Sequence, residues 1–238
     1  MRARVRGFTL EKVSPLVLRL LPLLVAFLLA GCVVTGKQDR FLAKYADAKP
    51  TVSAMTVCHG YGCRVTEEVS LAREWDDLTA DFQTPAETPE QERERIAALI
   101  ADVEIIVGEK LGTAEDIGGT FTGFGQDGQQ DCIDETANTT TILTLLENEG
   151  LLAWHDVRAP MSRGFFINGW PHTSAVIAET NSEQHYVVDS WFHDNGQPAE
   201  VVTLETWVGG WSPEGSTAEQ IVVITTEPAH NLSPPRAP

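Results

Sequence analysis

After Leu152 the hydrophobic pattern changes period, and this change constrains the fold more than any other feature of the chain. Upstream, apolar residues recur at helical spacing. Over 66–82 they fall at Val69, Leu71, Ala72, Trp75 and Leu78, which predicts an amphipathic helix. Thr88-Pro89-Glu90-Gln91 reads as a capping box with Pro at the first helical position. It predicts a helix with Ile96, Leu99, Ile100, Val103 and Val107 on one side, ending near Leu111-Gly112. A third helix is expected over 132–149. Its Thr139-Thr140-Thr141 run has poor local propensity, so packing must support it. A strand is expected earlier, over 51–58. Past Leu152, alternating β-branched and aromatic residues predict strands at 154–158, 164–167, 173–177 and 186–191, with another over 219–224. Helices followed by an antiparallel sheet make an α+β fold.

A chain of 238 residues allows one domain with one good core, here expected over 51–228. There is no internal repeat. Acids outnumber bases 34 to 17, which argues against nucleic-acid partners and against electrostatic docking on anionic lipid. The glycines at 118, 119, 123, 125 and 128 mark a loop over 113–131. No Gly-Lys-Ser/Thr follows them, so a phosphate loop is excluded.

The first 31 residues do not belong to the fold. Arg2, Arg4, Arg6 and Lys12 precede an apolar run over 20–30, too short for a comfortable membrane span. The run ends Leu28-Leu29-Ala30-Gly31-Cys32, which resembles the lipobox of bacterial lipoproteins. That resemblance implies cleavage before Cys32, lipidation of Cys32, and a tether over 32–50. Acyl chains would then hold the protein at a membrane without a spanning helix. Val33 after the cysteine resembles the default outer-membrane sorting class, so the expected address is the bacterial cell envelope, facing the periplasm. Removing the leader, with its five bases and one acid, takes the formal charge from −17 to −21. The last residues, 229–238, are expected to be disordered.

Export to an oxidising compartment makes the cysteine count informative. With Cys32 acylated, Cys58, Cys63 and Cys132 remain, and three thiols cannot all pair. Cys58 and Cys63 flank His-Gly-Tyr-Gly, a gap suited to a small disulfide loop. A metal site with His59 would have only three ligands and lacks zinc spacing, so no metal or other cofactor is expected. Cys132 is the odd thiol. It sits at the predicted first turn of its helix, where the helix terminus and a nearby imidazolium would both favour a thiolate. His172 opens one predicted strand and Asp189 closes the next, and a turn near 181–183 would make them neighbours. Asp131 is a candidate N-cap. Asp134 and Glu135 either point to solvent or face the thiol, and in the second case they raise its pKa and make it a poorer nucleophile. Gln126, Gln129, Gln130 and Trp170 all remain candidates for a second oxyanion donor. His155 and His193 read as surface or turn residues, and Trp170, Trp191, Trp207 and Trp211 as core aromatics or cleft walls.

The segments Gly128-Gln129-Gln130-Asp131-Cys132-Ile133-Asp134-Glu135, Trp170-Pro171-His172 and Val187-Val188-Asp189-Ser190-Trp191 resemble the transglutaminase-like cysteine proteinase superfamily. The resemblance covers about 120–195. It implies a papain/transglutaminase-like domain whose nucleophile-bearing helix packs on an antiparallel sheet. It further implies Cys132 as nucleophile, His172 as general base and acid, and Asp189 as the orienting carboxylate. The resulting expectation is a lipid-anchored thiol hydrolase (peptidase or amidase) or acyltransferase, working through an acyl-enzyme on a protein, peptide or cell-wall substrate. The alternative is a non-catalytic binding lipoprotein with the same fold. A papain-like cell-wall endopeptidase would be distinguished by relying on a histidine such as His185 in place of Asp189.

Overall fold

The computed structural model describes residues 49–121, 123–164 and 171–215, all within the compact unit Phe41–Pro238. The leader, Cys32, the tether as far as Ala48, most of the 164–167 strand, Trp170, the 219–224 strand and the 229–238 tail lie outside the described residues. Strands β1 (Met55–His59) and β2 (Val65–Val69) form a two-stranded antiparallel sheet. A short helix α1 (Trp75–Leu78) and a 3-10 turn (Ala80–Phe82) lead to the long helix α2 (Pro89–Leu111). The glycine-rich loop then feeds helix α3 (Cys132–Asn148). Strands β3 (His155–Arg163), β4 (His172–Glu179), β5 (His185–Asp189) and β6 (Glu200–Thr203) form a second antiparallel sheet in that order. Helix α4 (Leu204–Val208) follows. The mixed α+β class is what the change of period predicts, while the two-stranded β1–β2 sheet adds to the single sheet expected. Among the described residues, no helix is long and apolar enough to cross a membrane.

Helix α2 forms as its capping residues dictate. Thr88 Oγ1 accepts from the Gln91 backbone N–H at 3.2 Å, and Gly112 ends the helix at φ 79°. Gln91 returns its side-chain oxygen to Glu87 N–H at 2.7 Å, one residue short of the expected partner. The amphipathic helix expected over 66–82 is not formed. That segment is instead β2, a turn, the four-residue α1 and the 3-10 turn. Pairing with β1 across a glycine-containing, disulfide-closed loop overrides the helical period. β3 runs five residues beyond the predicted strand end, with a register shift between Arg158 and Met161. This is where Pro160, having no N–H, interrupts the ladder. β6 and α4 had no sequence signal, because four residues and five residues are too short to carry a period.

Helix α3 is the central element. It packs on β4, β3 and β1, and residues on all its sides are buried. Its threonines are accommodated by back-bonding, Thr141 Oγ1 to Ala137 O at 2.8 Å and Thr144 Oγ1 to Thr140 O at 2.8 Å. Asn138 behaves like a strand residue toward β1, accepting from Cys58 N–H at 2.7 Å and donating to Cys58 O at 2.9 Å. The main core joins Met55, Val57, Ile96, Ile100, Leu143, Leu146, Ile177 and Val188.

Candidate functional site

The head of α3 is built by carboxylates. Asp131 caps Ile133 N–H and Asp134 N–H at 3.0 Å each, and Asp134 returns an oxygen to Asp131 N–H at 3.1 Å. The Cys58–Cys63 disulfide is formed as expected. Its loop runs through four consecutive left-handed residues, Gly60, Tyr61, Gly62 and Cys63. That conformation aims Tyr61 N–H and Cys63 N–H at Asp134, at 2.7 and 2.6 Å. Asp134 and Glu135 are therefore buried, which excludes the solvent-facing alternative. Gln129 and Gln130, two of the candidate oxyanion donors, use their amides structurally, on Glu115 O and Cys58 O. Gln126 is exposed, and Trp170 lies outside the described residues.

The β4–β5 hairpin register, Ala175 opposite Val188, brings the start of one strand to the end of the next. His172 Nε2 donates to Asp189 Oδ2 at 2.7 Å, and Trp207 Nε1 donates to the same oxygen at 2.7 Å. The imidazole is enclosed by Trp191, Phe192 and Trp207, with ring centroids at 4.7, 5.2 and 5.4 Å. Arg163, the cross-strand partner of His172, lies over the Trp207 ring at 4.4 Å and donates to Trp207 O. Cys132 packs with Trp191 and Phe192.

Two of the three expected catalytic residues are thus joined, and the third is not connected to them. Cys132 is free and buried. Burial pushes its thiol up to about 12, and Asp131, Asp189 and Asp134 push the same way against a backbone hydrogen bond from Thr173. No hydrogen bond links Cys132 to His172, whose Nδ1 has no partner among the described residues. No group of three or more Cys, His, Asp or Glu converges there in the manner of a metal site, again among the described residues. The expectation of a working Cys132–His172–Asp189 triad, and with it the cysteine protease, transglutaminase or hydrolase activity, is therefore corrected. A thiol held protonated, with no base on it, is not an activated nucleophile. The physical reason is burial first and local charge second. The helix terminus that should stabilise a thiolate is already occupied by two aspartates.

A second acidic group escaped sequence reasoning. Glu135 accepts from Ser190 Oγ at 2.7 Å, Glu104 from Gly196 N–H at 3.1 Å and Asp116 from Gln130 N–H at 2.6 Å. No basic side chain pairs with any of them among the described residues. Burial pushes Glu104 and Asp116 up to about 7 each and Asp134 to about 6, and it raises Glu135 well above the ordinary range. One signal was present, since Glu104 stands in the otherwise apolar run Val103-Glu104-Ile105-Ile106-Val107. His155 also differs from expectation. It is buried, not a surface residue, with Nδ1 on Glu92 at 2.8 Å and Nε2 on Arg93 at 3.1 Å. His193 pairs with Glu200 at 2.8 Å on the half-buried rim.

No family model, curated protein or solved structure matches this chain.

Proposed function

We propose that this chain is a non-catalytic binding lipoprotein of the bacterial cell envelope, carried on a papain/transglutaminase-like scaffold. One observation carries the reading: the Cys132 thiol is held neutral and without a base, while the aromatic walls and the His172–Asp189 pair around it are kept. A neutral thiol set among aromatic rings can pack against a ligand without attacking it. The leader and Cys32 support an anchor of acyl chains at the outer membrane, facing the periplasm, and the −21 charge of the mature chain supports a partner other than nucleic acid.

The test is iodoacetamide labelling of Cys132 in the detergent-purified full chain, followed by mass spectrometry across pH. A binding protein leaves Cys132 unlabelled at neutral pH, with or without His172→Ala. Rapid labelling near pH 6 that collapses in His172→Ala would overturn the reading. The anchor is tested separately, by loss of palmitate incorporation in Cys32→Ala.

A further inference from the structure

Three polar groups around the aromatic cluster have unused hydrogen-bonding capacity. His172 Nδ1 and Trp191 Nε1 are buried without a partner among the described residues, although each residue is only 4% exposed. Buried polar atoms in native proteins are nearly always satisfied, so two orphans on adjacent rings require an explanation. The third group is Arg163. Its guanidinium has five donors, and its one hydrogen bond among the described residues goes to Trp207 O. Arg93 finds carboxylates on Glu90 and Glu179, and Arg158 on Asp156, while the exposed Arg95 uses the backbone carbonyls of Asp81 and Thr84. Arg163 has no carboxylate within ion-pair distance among the described residues, yet it is half-buried beside His172.

We propose that Arg163, His172 and Trp191 form a binding site for a ligand carboxylate, with Cys132 and Phe192 as its apolar floor. This rests on the binding reading above and names what is bound. The donors match the group. Trp191 Nε1 can only donate, and Arg163 offers a planar fork suited to two carboxylate oxygens. His172 gives its Nε2 proton to Asp189, so its Nδ1 carries a lone pair that accepts an N–H of the ligand beside its carboxylate. The other ionisable groups facing the ring's surroundings are Arg163 from β3, Asp189 from β5, and Cys132 from α3 with Asp131 and Asp134 behind it. The nearby negative charge of Asp189 penalises a dianion such as phosphate more than a monoanion. The flat walls of Trp191, Phe192 and Trp207 suit a planar group. Trp211 and Phe121, both half-buried, pack against the cluster, so a ligand must displace side chains to enter.

The experiment is a tryptophan-fluorescence titration of the detergent-purified full chain with three probes: N-acetyl-dialanine bearing a free carboxylate, the same dipeptide as its C-terminal amide, and butyrate. The expected result is saturable binding of the free carboxylate, about tenfold or more tighter than the amide, since a charge-assisted hydrogen bond is at stake. Arg163→Gln should remove that preference and leave the thermal midpoint near the wild-type value. If butyrate matches the dipeptide, the carboxylate alone is recognised. If the dipeptide binds more tightly, the source is a peptide C-terminus. Equal binding of acid and amide, indifference to Arg163→Gln, or no saturable change with any probe overturns the carboxylate assignment while leaving the binding reading intact. Release of alanine from the dipeptide would instead overturn the binding reading itself.

Discussion

Two buried histidine–carboxylate pairs sit on neighbouring strands of one sheet, and they are finished differently. At the start of β3, His155 has both ring nitrogens engaged, by Glu92 and by Arg93. Glu92 also accepts from Ala153 N–H at 2.6 Å and Trp154 N–H at 3.0 Å, and Arg93 lies over the Tyr186 ring at 4.0 Å. Every group in that clasp has a partner, and it ties α2 to the sheet. At the start of β4, His172 has its carboxylate and its aromatic enclosure, but Nδ1 is left open among the described residues. The same residue types give a structural fastening in one place and a receptive site in the other. The difference lies in whether the second nitrogen is satisfied.

The largest expected effect comes from breaking the closed pair. Glu92→Gln replaces a carboxylate that accepts three hydrogen bonds with an amide that must turn its NH2 toward donors. We expect a loss of about 3 kcal/mol or more in urea unfolding, because charged partners stay buried. Asp189→Asn should cost less, about 1–2 kcal/mol, since the amide oxygen can still accept from both His172 and Trp207. Equal costs would mean that both pairs are structural, and the contrast would fail.

Next in size is the opposite pH response of the acids in the two regions. Burial alone would raise Glu92. Its hydrogen bonds to His155, Ala153 and Trp154 outweigh that and hold it below the ordinary carboxylate range. Its contribution is therefore present above the unfolded value and is lost as pH falls through the lowered one. Glu104 and Asp116 are raised to about 7, so they favour the folded state most below their unfolded values of about 4. That contribution is lost as pH rises toward 7. The unfolding free energy from urea should fall between pH 5 and pH 8, by an amount on the order of 1–3 kcal/mol, and the midpoint with it. Glu104→Gln should flatten that decline without changing the acid limb set by Glu92. A midpoint that rises over this window would show that the buried acids are ionised and stabilised, contrary to their surroundings.

These contrasts also explain what could be read in the chain beforehand. Helix α2 was legible because its cap, its apolar stripe and its terminal glycine agree, and the β4–β5 hairpin because its alternation and turn residues agree. The pairing of His172 with Asp189 followed from that hairpin alone. β2 was misread because a partner strand and a disulfide loop decided it, and neither acts within the period of one segment. The state of Cys132 was misread for a related reason. Sequence places it at a helix start, but its pKa depends first on its burial and then on how many carboxylates are folded in beside it. Asp134 is buried only because the Cys58–Cys63 loop turns two N–H groups onto it. The same holds for His155, whose burial depends on a helix about sixty residues upstream.

The smallest expected effect concerns the thiol itself. In a catalytic site Cys132 would be indispensable, whereas in the present arrangement it is a small apolar residue between Trp191 and Phe192 that makes no hydrogen bond to the histidine. Cys132→Ala removes one sulfur atom, so its cost should be about 1 kcal/mol, with carboxylate binding retained within about threefold. Cys132→Ser is the sharper probe, because a hydroxyl is nearly isosteric but requires a hydrogen bond. If the Cys132→Ser variant were as stable as Cys132→Ala, the new hydroxyl, which can still accept from Thr173 N–H, would also have given its proton to the open Nδ1 of His172, and the two side chains would be close enough to act together. If serine costs clearly more than alanine, the position is apolar and apart from the imidazole. The comparison of the two substitutions by urea unfolding therefore measures, at the atom that matters, whether the open histidine faces its cysteine or faces a ligand.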